Sequence, residues 1–548
     1  MRQIRKGLPL LTTSSIVHGC RASCLFAFFL PSSILMAIAQ GGPGSPNIAP
    51  VQLPAPVNVL YTFTAATNHA AFGGYTNVEG AFCTAALVQD SDGNLYGVAP
   101  TGGDFGNGTV FSLNTNGTAL TVLHVFSAFQ LRSGLSNPDG GNPTGLMLGL
   151  GGRLYGTASQ GGTNGSGVIF QLNTDGSGFT NLRNFDPKEG GNPQGGLVQG
   201  PDGTLYGTTQ NGGTDGSGTV FSLTSDGSAF TVLYNFTVLN NGTNADGMQP
   251  YGGLALASDG TLYGTARYGG PSGSVRTFAP ERVGSGTIFS LKTNGTGFTV
   301  LHSFDTFSGD FLQPTNSDGA SPYSALILGN DGRLYGTAPE AGQGASGTIF
   351  GMDTDGGNYT VLHAFDYIPH SPAFSTVYGL YPFGGLVQAR DGLLYGAAYG
   401  GGFVPNGGYF AGTLYRLNTD GDGLALLHSF ASPDSYTKTN ADGANPYATL
   451  LKGNDGRLYG VTSSGGTNAS GTIFSFAPPV VLGVANSNHV VRLSWPISAT
   501  NFVLETCTTL SSSSVWTPLT NDIAATGYTF TLTLPATNGN AFFRLHHP

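Results

Sequence analysis

Residues 202–208 read DGTLYGT, and close copies of this heptad recur along the chain as DGNLYGV, GGRLYGT, DGTLYGT, DGRLYGT, DGLLYGA and DGRLYGV. The LYG triplet begins at Leu95, Leu154, Leu205, Leu262, Leu334, Leu394 and Leu458. A second signature follows each triplet: GTVF (108–111), GVIF (167–170), GTVF (218–221), GTIF (286–289), GTIF (347–350), GTLY (412–415) and GTIF (471–474). A third has the form VLHSF and appears as VLYTF (59–63), VLHVF (122–126), NLRNF (181–185), VLYNF (232–236), VLHSF (300–304), VLHAF (361–365) and LLHSF (426–430). Asp-Gly and Asn-Gly dipeptides punctuate these runs and supply the positive φ angles that tight hairpins need. The runs themselves are short, β-branched and aromatic, as strands are. With the apolar stretch ahead of LYG, each unit predicts four strands, exemplified by GGLVQ (A), LYGT (B), GTVFSL (C) and FTVLYNF (D) within residues 195–236.

The phase of the repeat decides how these units join. The array begins with a lone D strand at 58–63 and ends with a C strand at 471–476. If the first D strand completes the last unit, all the units are whole. The predicted fold is therefore all-β: a seven-bladed β-propeller over 58–477, its last blade closed by the N-terminal strand. Closure removes two edges that an open array must protect. A β-solenoid explains neither the hairpin turns nor the offset. From Pro478 no repeat signature recurs, and both tryptophans, Trp495 and Trp516, lie beyond it. Runs such as HVVRLSW (489–495) and YTFTLTL (528–534) predict a small immunoglobulin- or fibronectin-like sandwich over 478–548. Residues 40–57, with QGGPGSP and LPAP, read as an extended linker.

Composition narrows the classes. Charged residues are 9% of the 548, and the 88 glycines follow no three-residue period, which excludes a collagen-like chain. A 39% hydrophobic share in short runs excludes wholesale disorder. Residues 1–39 carry Arg2, Arg5, Lys6 and Arg21, then the apolar run LFAFFLPSSILMAIA (25–39) ending in the small-x-small site Ala37-Ile38-Ala39. That is the pattern of a cleaved export signal, and the run is too short for a comfortable membrane span. Its removal deepens a net charge that is already −10, so nucleic acid and anionic membrane surfaces are poor partners. The mature chain is expected to be extracellular or at the cell surface, monomeric, and without a membrane span. Cys20 and Cys24 leave with the signal. Cys83 and Cys507 lie too far apart in sequence to argue a disulfide framework or a metal site.

The combined pattern LYGT…GG…G-GTVF-L…DG…TVLH-F resembles the GloVer tandem repeat of exported bacterial proteins with varied C-terminal anchors, over roughly residues 58–477. The resemblance implies an extracellular location and brings no activity and no catalytic residues. The chain lacks the terminal apolar span and basic tail of one common family ending. Its C-terminal sandwich resembles modules appended to other exported bacterial proteins, which implies a part in attachment or sorting.

Three repeated features are candidate sites. The LYG tyrosines and glycines read as packing, with glycine leaving room for the aromatic ring of a neighbouring blade. His124, His302, His363 and His428 share one position in strand D, where Tyr61, Arg183 and Tyr234 replace them. Such spacing distributes side chains around a rim and does not gather them about one ion. The Asn-x-acid-Gly element ahead of strand A recurs as NVEG (77–80), NPDG (137–140), NADG (244–247), NSDG (316–319) and NADG (440–443). It reads as an Asx turn, and alternatively as an oxygen-rich loop placing Asp139, Asp246, Asp318 or Asp442 on Ca²⁺. No G-x-S-x-G, H-E-x-x-H or phosphate loop occurs.

Length variation falls almost entirely in the B–C and D–A connections, which open on one side of an antiparallel unit. That side is where binding is expected. Its insertions, among them 267–286, 304–316, 366–382 and 399–412, carry Tyr268, Arg276, Arg282, Phe311, Tyr367, Tyr378, Phe403 and Tyr409. The leading expectation is a non-catalytic scaffold that takes a glycan or protein ligand there and needs no cofactor. The alternatives are a polysaccharide hydrolase or lyase using Asp310, Glu281 or His370, and a structural envelope protein.

Overall fold

The computed structural model describes residues 35–39 and 57–479, except 70–73, 119, 131–135, 241–242, 272–283, 307–314, 367–377 and 403–410, and then 483–487, 490–496, 503–508, 515–520, 523–526, 529–535 and 541–546. Among these residues every regular element is a β-strand, and no helix is long and apolar enough to cross a membrane. The chain divides into two compact units, one of Leu53–Pro479 and one of Val480–Pro548 with the segment before Leu53.

In the larger unit each repeat folds as one antiparallel sheet in the order A-B-C-D. The sheet around the opening heptad pairs Val198–Gln199, Leu205–Thr209, Thr219–Leu223 and Phe230–Asn235. Strand A is only two residues long. The glycines before it approach the next repeat's backbone: a Cβ on Gly195 would lie 2.6 Å from Gly252 C. Strands C and D share a register shift at the same place in each sheet, for example between Val220 and Phe221, a bulge that increases twist.

The strand Asn58–Thr62 pairs with Thr472–Phe476, so the lone first D strand sits in the sheet of the last repeat. That sheet packs on both sides. Phe474 and Leu450 join the core with Tyr395 and Leu414 of the preceding repeat, while Tyr459, Ile473 and Phe63 join Leu95 and Phe111 of the first. One contact repeats around the series: the C–D turn glycine abuts the D-strand leucine of the preceding sheet, as Gly176 does at Leu123 and Gly421 at Leu362. Gly117 of the first repeat meets Leu60 of the N-terminal strand in the same way. The first repeat also carries an element that its sequence pattern did not announce, a three-stranded sheet of Thr67–His69, Gly74–Ala81 and Thr101–Gly103 that contains the NVEG segment.

The smaller unit has two four-stranded sheets. Gly483–Ser487, Val490–Pro496, Thr529–Pro535 and Ala524–Thr526 form one; Leu35–Ala39, Ala541–His546, Val503–Cys507 and Thr517–Pro518 form the other. Val491, Leu493, Trp495, Leu504, Leu532, Phe543 and Leu545 share a single core. The segment Leu35–Ala39, read from sequence as the end of an export signal, here occupies the outer edge of Ala541–His546.

Candidate functional site

The repeated heptad is a packing device. Leu205 and Tyr206 are buried, and Gly207 pairs directly with Phe221 of strand C. The Phe221 ring covers that glycine: a Cβ there would lie 2.6 Å from Phe221 Cζ and 2.8 Å from Leu197 Cδ2. The aromatic ring for which the glycine makes room thus comes from the adjacent strand of its own sheet. The Asp of the heptad is tied in as well. Tyr395 and Tyr459 donate their hydroxyls to Asp391 and Asp455 at 2.7 Å, while Tyr96 reaches Asp90, two residues ahead of its heptad, at 2.8 Å. Burial and the Asp90 carboxylate push the Tyr96 phenol up to about 12. In residues 202–208 the Thr204 hydroxyl donates to Asp202 at 2.9 Å.

The Asn-x-acid-Gly elements form a second repeated device. Asn316 Nδ2 donates to the carbonyls of Asp305 (3.0 Å) and Gly319 (2.6 Å). Its Oδ1 accepts from the amides of Gly319 and Gly342, both at 2.8 Å. One side chain therefore clips the D–A connection to the B–C connection of the same repeat. The acid beside it reaches strand D. Asp139, Asp318 and Asp442 meet His124, His302 and His428 at 3.0, 2.9 and 2.8 Å, and Tyr234 donates to Asp246 at 2.9 Å. These carboxylates also accept backbone amides, from Ser127, Asp305, Ala431 and Thr237. The four residues named as calcium candidates thus have their oxygens committed to the protein's own donors. Among the described residues no group of three or more His, Cys, Asp and Glu gathers as a metal site requires. Burial raises the Asp139 carboxyl, but the His124 and Ser127 hydrogen bonds outweigh it and hold it below the usual carboxylate range.

The acid and the D-strand residue vary together. Tyr61 pairs with Glu79 at 2.6 Å, and Arg183 with Glu189. Where His363 stands, Tyr378 occupies the acid's position, its ring 6.0 Å from the imidazole. Three D-strand rings also stack on the next repeat, His124 on Phe179 (3.6 Å), Tyr234 on Phe298 (3.6 Å) and His302 on Tyr359 (3.7 Å). The two positions come from different signatures of the sequence, and only the fold brings them side by side.

Of the loop residues expected to bind, Tyr268 and Tyr378 are described. Arg276, Arg282, Phe311, Tyr367, Phe403 and Tyr409 lie outside the described residues, as do Asp310, Glu281 and His370. Tyr378 is 38% exposed. Tyr268 lies beside the Arg267 guanidinium, 4.6 Å from its ring centroid.

That contact leads to a cluster the sequence pattern did not single out. The residue between Pro and the GG or small pair ahead of strand A is Tyr251, Tyr323, Phe383 and Tyr447 in four successive repeats. These rings converge: Tyr251–Tyr323 centroids are 3.9 Å apart, Tyr323–Phe383 5.3 Å, Phe383–Tyr447 5.0 Å and Tyr323–Tyr447 5.6 Å. Tyr323 and Tyr447 belong to repeats that are not neighbours in sequence, so the segments ahead of strand A from separate repeats meet here. Tyr399, just after strand B, adds a fifth ring 5.6 Å from Phe383. Arg267, at the equivalent place after its own strand B, lies 5.0 Å from the Tyr323 centroid and 3.9 Å from Glu340. In the preceding repeats the same two positions hold Gln194 and Gln210, whose amides meet at 3.3 Å. The earlier Thr144 donates to the Pro193 carbonyl at 2.8 Å. All these side chains are partly exposed, unlike the buried LYG tyrosines. They flank the D–A and B–C connections, the side where the repeats differ in length.

Among curated proteins none matches the chain. Solved structures resemble it only distantly. A fungal alcohol oxidase of the AA5 family in complex with copper is 14% identical with a TM-score of 0.41, covering 85% of this chain and 95% of that one. TolB from Acinetobacter baumannii is 14% identical with a TM-score of 0.32, over 61% and 63%. The nidogen/laminin complex is 17% identical with a TM-score of 0.31, over 49% and 75%. Likeness of that extent says nothing about activity. The sequence itself matches the model of the Gloeobacter/Verrucomicrobia repeat over residues 55–278, 129–316 and 236–440. These overlapping matches span well over half of the chain, and the protein belongs to the Gloeobacter/Verrucomicrobia repeat family.

Proposed function

We propose that this protein is an exported, non-catalytic binding scaffold: a closed seven-bladed β-propeller that takes a glycan or protein ligand on the side bearing the D–A and B–C connections. The observation that carries this reading is the set of partly exposed rings at Tyr251, Tyr323, Phe383, Tyr399 and Tyr447 on that side. Aromatic rings left partly exposed at the convergence of several elements are what ligand sites use, whereas core rings are buried outright. Closure is supported by the Asn58–Thr62 strand and by the Gly117–Leu60 contact, which repeats the relation between other successive sheets. Export is supported by the basic, apolar and small-x-small order of residues 1–39. Cleavage after Ala39 removes the strand from the edge of Ala541–His546, and mass spectrometry of the secreted protein should then find Gln40 as its first residue.

A carbohydrate array probed with the mature protein, with product analysis of any bound polymer, tests the function. Binding without turnover supports it. Turnover abolished by Asp310→Ala or Glu281→Ala replaces it with a hydrolase or lyase, and no binding to any glycan or cell-surface extract leaves a structural role.

A further inference from the structure

The geometry points to a single uncharged sugar residue as the ligand of the aromatic cluster, stacked on its rings and bonded by the amides and hydroxyls of the neighbouring repeats. This rests on the binding-scaffold reading and goes beyond it by naming the subsite and the ligand's chemistry. The position before strand A is aromatic in the four later repeats and polar in Thr144 and Gln194 of the earlier ones; the position after strand B adds Gln210, Arg267 and Tyr399. Tyr251, Tyr323, Phe383, Tyr399 and Tyr447 supply contacting rings, and Thr144, Gln194 and Gln210 of the preceding repeats supply polar groups. A pyranose has the same two-sidedness, with C–H groups on its faces and hydroxyls around its edge. The rings offer stacking surface, and the amides offer planar donor–acceptor pairs that match vicinal hydroxyls.

Charge sets the second part of the inference. Arg267 is the cationic group among the described side chains of the cluster, and Glu340 lies 3.9 Å from it. Glu340 is itself held by the Ser321 hydroxyl at 3.1 Å. The pair leaves no net charge for a carboxylate or sulfate to neutralise, while both partners can still bond hydroxyls. The Arg267 guanidinium is also held by the rings of Tyr251 and Tyr268 at 5.9 and 4.6 Å, so its orientation is fixed before a ligand arrives. A phenol array completes the polar edge. Burial and the neighbouring hydroxyls of Tyr323 and Tyr447 push the Tyr251 and Tyr323 phenols well above their usual range, so they remain donors at any working pH.

Titration calorimetry on the mature protein with cellohexaose, mannohexaose and a galacturonate hexamer decides the matter. The expected result is that a neutral hexamer binds and the galacturonate hexamer does not. Phe383→Ala and Gln210→Ala should each weaken that binding about tenfold or more, a loss of about 1.4 kcal/mol. Tyr323→Phe keeps the ring and removes one hydroxyl, so it reports on the polar edge even if Phe383→Ala fails to fold. Melting temperatures of the soluble variants should stay close to that of the parent. Preference for the galacturonate hexamer overturns the inference, as does neutral-sugar binding that survives all three substitutions but is lost when residues 272–283 are deleted. In that last case the scaffold reading stands. If no glycan binds at all, both fall.

Discussion

Gly207 shows how little freedom the repeated heptad has. Its missing Cβ is the space filled by Phe221 and Leu197, so Gly207→Ala forces a ring or a strand to move. Overpacking of that kind costs about 1–3 kcal/mol, and a chemical-denaturation midpoint should fall accordingly. Tyr415 presents the opposite case. It replaces the usual phenylalanine of strand C, is fully buried, and its hydroxyl has no hydrogen-bond partner. Burial alone pushes that phenol far up. Tyr415→Phe removes an unsatisfied polar atom and should leave stability unchanged or raise it by about 1 kcal/mol in the same assay. Asp139 gives the pH dependence. Its folded carboxyl titrates below the ordinary value of 3.8, so its contribution is complete above that value and is lost as pH falls through the lower folded one. Thermal melts from pH 5 to pH 2 should show Asp139→Asn losing less stability on acidification than the parent does.

The sheets were legible because three signatures recur together with the turn residues that separate them. LYG, GTVF and VLHSF each mark a strand whose burial and pairing the repeats enforce seven times. The two-residue strand A was legible only in outline: in GGLVQ (195–199) just Val198 and Gln199 pair, since Gly195 is spent on close approach to the next repeat. The bond between Asp318 and His302 was hidden for another reason. The two residues come from different signatures, and nothing local to either names its partner. The aromatic cluster escaped because its residues sit inside a regular frame. Tyr323 follows Pro322 just as Thr144 follows Pro143, and what matters is that the residue at this position changes between repeats. The N-terminal strand carries a prediction of its own. Deleting residues 53–63 exposes the edge of Thr472–Phe476 and uncovers the core around Tyr459 and Ile473. Size-exclusion chromatography should then show more self-association than the parent chain shows.

Taken together, the positions that repeat build the scaffold and the positions that vary among the repeats form its candidate binding surface. Seven similar sheets supply rigidity; a partly exposed cluster from four of them, with Arg267 and the glutamines of the neighbouring repeat, supplies chemistry. The most direct test sets one residue of each kind side by side. Tyr459 is a repeat tyrosine bonded to Asp455, and Phe383 belongs to the cluster. Affinity for the best-bound neutral hexamer should be measured by titration calorimetry for Tyr459→Phe and Phe383→Ala. The account predicts that Tyr459→Phe lowers stability by about 1 kcal/mol yet binds as the parent does, while Phe383→Ala binds about tenfold more weakly. Weakened binding in Tyr459→Phe with unchanged binding in Phe383→Ala would contradict it.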